Sequence, residues 1–348
     1  MANKEETVKP LKQHFHYGHH LLDDATKEIN EWTGENKVVE IHLFSMFSEV
    51  FKAHNHDDAE ALFIVGTRHT TPSLEAVSVA PVKPWLFSRI FALLAGSFVL
   101  LALLFLGFRS NNAVPGMIFI GSLTVPFSLL ILFFEINVFR NLSVYQLLTV
   151  FLVGGILSLI ATMILYSLIP SGNGTSLGSA VIVGFIEETA KMLVMTYFIN
   201  QFHLNYIFNG LLVGAAIGAG FAVFETAGYT GQYGLVTLLM RSWQAIGTHT
   251  IWSAIMGAAI ILAKDRHQPV TGSNMVAPKF LRFYLLAIGL HAAWDWNAPF
   301  AFLDILYLQQ WVLIALGWLA IFVLINAGLR EARTLQGQRI LRTTQLGG

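Results

Sequence analysis

From Trp85 to the neighbourhood of Ala327 the chain is a succession of eight apolar stretches, at about 85–108, 113–134, 145–169, 179–199, 206–228, 242–263, 281–298 and 305–327. Each is roughly as long as a helix must be to cross the hydrocarbon core of a bilayer. In that solvent every backbone N–H and C=O has to be satisfied by the chain itself, which favours helices. The expected fold class is all-α: a polytopic membrane helix bundle of about eight transmembrane helices. Composition agrees, because 55% of the residues are hydrophobic and only 12% are charged. The first apolar run begins too late for a cleaved signal peptide and should act as an uncleaved signal anchor. The chain has no cysteine, which excludes disulfides, thiol catalysis and thiolate zinc sites. Its formal net charge is zero, so nothing points to nucleic acid, and the expected surroundings are the lipid bilayer.

Three regions follow. Residues 1–83 hold 13 of the 21 acids and 8 of the 12 histidines, so they should form a small N-terminal cytoplasmic domain or arm. Val38, Val39, Ile41, Leu43, Phe44, Phe47, Val50 and Phe51 have amphipathic helical spacing there. His14, His16, His19 and His20, and His54 and His56 with Asp57, read as exposed histidines, because nothing completes a metal set. Residues 84–330 are the membrane domain and 331–348 a cytoplasmic tail. With the N-terminus inside, Arg140, Lys264, Arg266, Lys279, Arg282, Arg330, Arg333, Arg339 and Arg342 fall inside, and only Arg109 and Arg241 outside. The positive-inside rule therefore puts both termini in the cytoplasm.

Within the apolar stretches a few ionisable residues stand out. Gly184-Phe-Ile-Glu187-Glu188-Thr-Ala-Lys191 places two carboxylates and a lysine in a membrane helix, a few kcal/mol of cost apiece even on a lenient insertion scale. Lys191 lies one turn after Glu187 on the same face, while Glu188 points about 100° away. Glu225, His249, and the pair His291 and Asp295, four apart on one face, complete the set. On the topology above, Glu187 lies about eight residues below the outer boundary, His249 and His291 about seven, and Glu225 and Asp295 about three, at about 1.5 Å of depth each. Four helices thus deliver polar groups to one layer in the outer half of the membrane. Gly210, Gly214 and Gly218 form a small-xxx-small stripe that continues to Glu225, and should press it against a neighbouring helix.

Glu187-Glu188-x-x-Lys191, Phe221-x-x-x-Glu225, His249 and His291-x-x-x-Asp295, in this order on consecutive apolar helices, resemble the motif set of the PrsW family of bacterial intramembrane proteases. That family is distantly similar to the prenyl-protein CAAX proteases. The chain departs from the CAAX pattern in having Lys191 where that group has an arginine one place later, Glu225 in place of histidine and Asp295 in place of the usual asparagine. These departures favour the PrsW branch and argue against prenylated substrates.

The resemblance implies a bacterial plasma-membrane enzyme that cleaves a single-span membrane protein near the outer face, in the best-known case an anti-sigma factor. Peptide hydrolysis without a Ser, Cys or Thr nucleophile needs an activated water, a base, an oxyanion donor and an acid for the leaving amine. We assign Glu187 as base and Glu188 to holding a partner helix or the water. His249 and His291 serve as donors, Asp295 orients His291, and Lys191 sets the charge of Glu187. No cofactor is favoured; the alternative is a zinc ion on Glu225, His249 and His291. A transporter or proton-coupled channel using the same carboxylates and histidines, and a non-catalytic receptor or scaffold, are the other function classes.

Overall fold

The computed structural model describes residues 85–170, 172, 176–296 and 307–346, with side chains as far as Leu335. The N-terminal helix pattern and the histidines before residue 57 lie outside these residues. The helices are α1 (Trp85–Phe108), α2 (Val114–Ile136), α3 (Val144–Thr149), α4 (Gly155–Leu168), α5 (Leu177–Gln201), α6 (Ile207–Tyr233), α7 (Leu235–Gln244), α8 (His249–Ala263), α9 (Pro278–Asp295) and α10 (Leu308–Leu346). There is no strand among the described residues. Among the described residues all eight apolar stretches are largely helical. The runs 85–108, 111–136, 144–168, 207–233, 235–263 and 308–335 are each long and apolar enough to cross a membrane. The other two, α5 and α9, carry most of the ionisable residues singled out above, and α5 at 25 residues is about 37 Å long.

The chain divides into two compact units, residues 80–137 with 149–337, and residues 1–79, 138–148 and 338–348. In the latter, the Ser143 hydroxyl accepts from the Gln146 N–H at 3.0 Å while the Gln146 side chain accepts from the Ser143 N–H at 2.9 Å. This reciprocal cap starts α3.

The larger unit is built around α6, which is buried without a break from Ile207 to Val223. Lipid tails are as apolar as leucine, so burial gives helices little reason to associate in a membrane, and close packing must supply it. The glycine stripe does so. A Cβ on Gly210 would overlap the carbonyl of Gly257, and one on Gly214 the carbonyl of Ser253, both on α8; a Cβ on Gly257 would overlap the carbonyl of Gly210 in return. The two backbones therefore touch without side chains between them. On the far side of α6, a Cβ on Gly155 would come within 2.7 Å of the Gly220 carbonyl carbon, which seats α4. The helix ends at Gly234, whose φ of +89° is left-handed and suits glycine.

Two stretches differ from the expected boundaries. The sixth is not one helix: it breaks at 245–248, so α7 ends at Gln244 and α8 begins at His249. The break is gripped by α10, where Ile314 leaves no room for a Cβ on Gly247 and the Trp318 indole donates to the Ile246 carbonyl at 2.9 Å. The last helix, expected to stop near 327, continues to Leu346, since nothing from Asn326 to Leu346 is a helix breaker stronger than an isolated glycine.

Candidate active site

The seven residues expected at the site lie on four helices, α5, α6, α8 and α9, which α10 braces. Gly184 lets α5 approach α9: a Cβ there would sit 3.2 Å from the Ile288 carbonyl and 3.4 Å from the His291 side chain. One turn later α5 presents Glu187 and Glu188, and one turn after those Lys191, all three buried. The α6–α8 glycine contact brings the first residue of α8, His249, beside the outer part of α6. Its Nε2 lies 3.0 Å from Glu225 Oε2, so the helix that the stripe presses against Glu225 is α8. The end of α9, which carries His291 and Asp295, is held by Gln309 of α10. That amide donates to the Trp296 carbonyl at 3.1 Å and also to the Ala293 carbonyl. Thus α10 contributes no ionisable group to the cluster but fixes both histidine-bearing segments.

All seven residues expected at the site join one network of hydrogen bonds and ion pairs. The Lys191 ammonium donates to Glu188 Oε1 at 2.9 Å, to Glu187 Oε2 at 3.4 Å and to His249 Nδ1 at 2.9 Å. Because an ammonium can only donate, His249 Nδ1 is the acceptor, and Nε2 carries the hydrogen that points at Glu225. Lys191 also lies 4.0 Å above the Phe221 ring. His291 Nδ1 donates to Glu188 Oε1 at 2.8 Å, and its Nε2 faces Asp295 Oδ2 at 3.3 Å and Glu187 Oε2 at 3.7 Å. Trp252 stacks on the His291 ring at 4.7 Å. The expected pairing of Lys191 with Glu187 is present, yet its closer carboxylate is Glu188, because the ammonium also leans to His249.

Two residues at the cluster were not singled out in the sequence. Arg241, expected in an outer loop, lies on α7 and forms an ion pair with Glu225; its Nε donates to Thr226 Oγ1 at 3.2 Å and its guanidinium lies 4.5 Å above the Tyr229 ring. Tyr166 on α4 donates to Glu187 Oε1 at 3.1 Å. The amphipathic spacing of Leu235, Leu238, Leu239 and Ser242 with Arg241 could have marked α7 as a helix. Nothing in the sequence distinguishes Tyr166 from the other tyrosines.

The donor set tests whether a metal fits. Glu187, His249 and His291 each offer a ligand atom within 4.8 Å of the others, and all three are buried. This is a two-imidazole, one-carboxylate set of the kind zinc takes. Glu188 on His291 Nδ1 supplies the outer-shell carboxylate that turns the opposite nitrogen inward. With Nδ1 donating, Nε2 meets two carboxylates, and that gap needs a positive charge, either a proton on the ring or a metal cation. Four carboxylates against Lys191 and Arg241 leave a formal −2 if the histidines are neutral, which equals the charge a divalent ion would offset. The residues fit the ion if it takes the place of the Lys191 hydrogen bond on His249 Nδ1 and of a proton on His291 Nε2. The fitting set contains Glu187, whereas the sequence suggested Glu225, whose Oε2 is instead taken by Arg241 and His249.

The profile of the family described as PrsW family intramembrane metalloprotease matches residues 143–325. Protease PrsW of Halalkalibacterium halodurans is 24% identical over 205 residues, covering 56% of this chain and 89% of that protein. Protease PrsW of Geobacillus kaustophilus is 26% identical over 117 residues, covering 32% of this chain and 47% of that protein. No solved structure matches.

Proposed function

Since the chain is a multi-pass membrane peptidase that belongs to the PrsW family of intramembrane metalloproteases, we propose that it cuts a single-span membrane protein near the outer face of a bacterial plasma membrane. An anti-sigma factor is the candidate substrate that the resemblance suggests. Both termini lie in the cytoplasm in this reading, with residues 1–83 as a cytoplasmic arm, 84–330 as the protease domain and 331–348 as the tail.

One observation carries the reading: Glu187, two oxygens of which are directed differently, Oε2 towards Lys191 and His291 and Oε1 towards the partly exposed Tyr166. Glu187 is the base, and the outward Oε1 is the atom that takes the proton of the attacking water. Glu187, His249 and His291 would hold a zinc ion, which when bound supplies Lewis-acid polarisation and a more acidic water. Lys191 and Glu188 keep Glu187 and the two imidazoles in place. Asp295 and Glu188 fix the ring of His291 from its two nitrogens. Glu225, held by Arg241, orients His249. The proton taken by Glu187 is then available to the leaving amine.

The test is to purify the full chain in detergent, strip it with a strong chelator, and measure bound zinc together with cleavage of single-span reporters. The expected result is about one zinc per chain, loss of cleavage on stripping and recovery on return of zinc, with Glu187→Gln inactive in every state. Normal turnover by Glu187→Gln overturns the base assignment. Full activity of the stripped protein overturns the metal.

A further inference from the structure

We propose that Tyr166 is a further catalytic residue, the hydrogen-bond donor that receives the oxyanion formed when the scissile carbonyl is attacked. The inference rests on hydrolysis at Glu187 as read above.

The hydrolysis needs a donor directed at the developing negative charge, and the donors of the cluster can be counted. His249 has both nitrogens engaged, Nδ1 accepting from Lys191 and Nε2 lying 3.0 Å from Glu225 Oε2. His291 donates through Nδ1 to Glu188 and turns Nε2 to Asp295 and Glu187. Lys191 is wholly buried and shared among three partners. Arg241 is committed to Glu225 and Thr226. The Trp252 indole N–H has no partner, but the residue is 1% exposed beneath the His291 ring, out of a substrate's reach. The histidines, expected from the motifs to be the donors, are therefore spent on holding one another's neighbours.

Tyr166 differs on each count. It stands near the end of α4, which brings no other residue to the cluster, and it is only partly buried. Its hydroxyl makes a single hydrogen bond, to the outward oxygen of Glu187, at 3.1 Å. A water bound to Glu187 Oε1 takes over that contact and frees the O–H. The attacked carbon then lies one bond from the water oxygen, so the carbonyl oxygen comes within hydrogen-bonding distance, about 3 Å, of a donor placed this close to the base. The step balances without a further reactant. The water oxygen bonds to the carbonyl carbon, its proton goes to Glu187, and the carbonyl electron pair becomes the oxyanion that accepts from Tyr166. Collapse re-forms the carbonyl, breaks the C–N bond and passes the Glu187 proton to the amine. Tyr166 keeps its own proton throughout.

The experiment uses the full chain in nanodiscs and a purified fusion whose single apolar span separates a fluorophore from a quencher. Tyr166→Phe removes one oxygen and should lower kcat by about 10²-fold or more, with KM, bound zinc and the unfolding midpoint unchanged. A peptidyl phosphonamidate with the reporter's cleavage sequence, a mimic of the tetrahedral species, should lose affinity by the same factor. Tyr197→Phe, on the exposed face of α5, is the matched control. Should Tyr166→Phe fold poorly, 3-fluorotyrosine at 166 keeps the side chain in place, and the donor role then requires kcat to follow the acidity of the phenol. Unchanged kcat, unchanged phosphonamidate affinity, or a loss accounted for by a moved limb of the pH–rate profile overturns the donor role, the last by making Tyr166 act only through Glu187. A wild-type chain that leaves the fusion intact removes the protease reading, and this inference with it.

Discussion

The molecule carries two kinds of buried or half-buried carboxylate, and they differ in what answers them. Glu135 at the end of α2 accepts from the Leu86 and Phe87 backbone N–H groups, each at 2.8 Å, and Glu331 accepts from the Ile207 N–H and Arg266, each at 2.9 Å. Both acids sit on the first turn of another helix, where free N–H groups and the helix dipole welcome a negative charge. Glu187, Glu188 and Glu225 meet lysine, histidine, arginine and tyrosine side chains instead. Backbone amides cannot exchange charge with a carboxylate, whereas these side chains can move protons or leave to admit a ligand. An acid inside a membrane protein is thus informative about chemistry only once its partners are known.

The largest expected effect on this contrast is at Glu187. Replacement by Gln should remove cleavage, a loss of at least about 10³-fold, while the unfolding midpoint in detergent stays within a few degrees. Next come His249→Ala and His291→Ala, each expected to lose about 10²-fold in kcat/KM, or about 3 kcal/mol of transition-state stabilisation. Zinc retained at full occupancy by both variants would break the contrast, since the metal set then lies elsewhere. Arg241→Gln frees Glu225 from its cation and should cost about 10-fold in kcat, and Arg266→Gln, at a residue that pairs with the Glu331 cap and lies over the Tyr206 ring, should leave kcat alone. Equal effects of the two arginines would show that both act through stability.

The smallest effect is the converse one. Glu135→Gln can still accept from one of its two N–H donors, so it should lower stability by about 1–2 kcal/mol and leave the kcat of the folded protein unchanged. A fall in kcat matching that of Arg241→Gln would erase the distinction between capping and reacting acids.

The reacting acids were legible in the sequence because ionised groups in an apolar run are rare and conspicuous. Glu187, Glu225 and Asp295, with His249 and His291, could be placed in one layer by counting residues from helix ends, and the glycine stripe indicated that Glu225 meets a neighbouring helix. The caps were not legible. Glu135 stands at the end of an apolar run, where an acid is unremarkable, and its partners are backbone amides 48 and 49 residues away. Arg241 was placed in a loop because hydropathy averages over the short helix α7 and the break after it. The break leaves its mark only in Gly247 and Thr248, and depends on Ile314 and Trp318 from a distant helix. Tyr166 has no signature at all, because a tyrosine near a membrane boundary is ordinary. Local pattern reports which groups are costly; tertiary contact alone reports which groups attend them.

The bare backbone contact between α6 and α8 has a consequence for how such a protein can change over generations. Where side chains fill an interface, a drift in spacing can be absorbed by a new rotamer or by exchange of one apolar residue for another. Here there is nothing to exchange: any carbon added at Gly210, Gly214 or Gly257 pushes directly on the partner carbonyl, and the displacement passes along a stiff helix to His249. The joint is therefore without play. New substrates would have to be accommodated at the rim and in α7, on the other side of the helix break, while this seam keeps the spacing of the reacting groups constant.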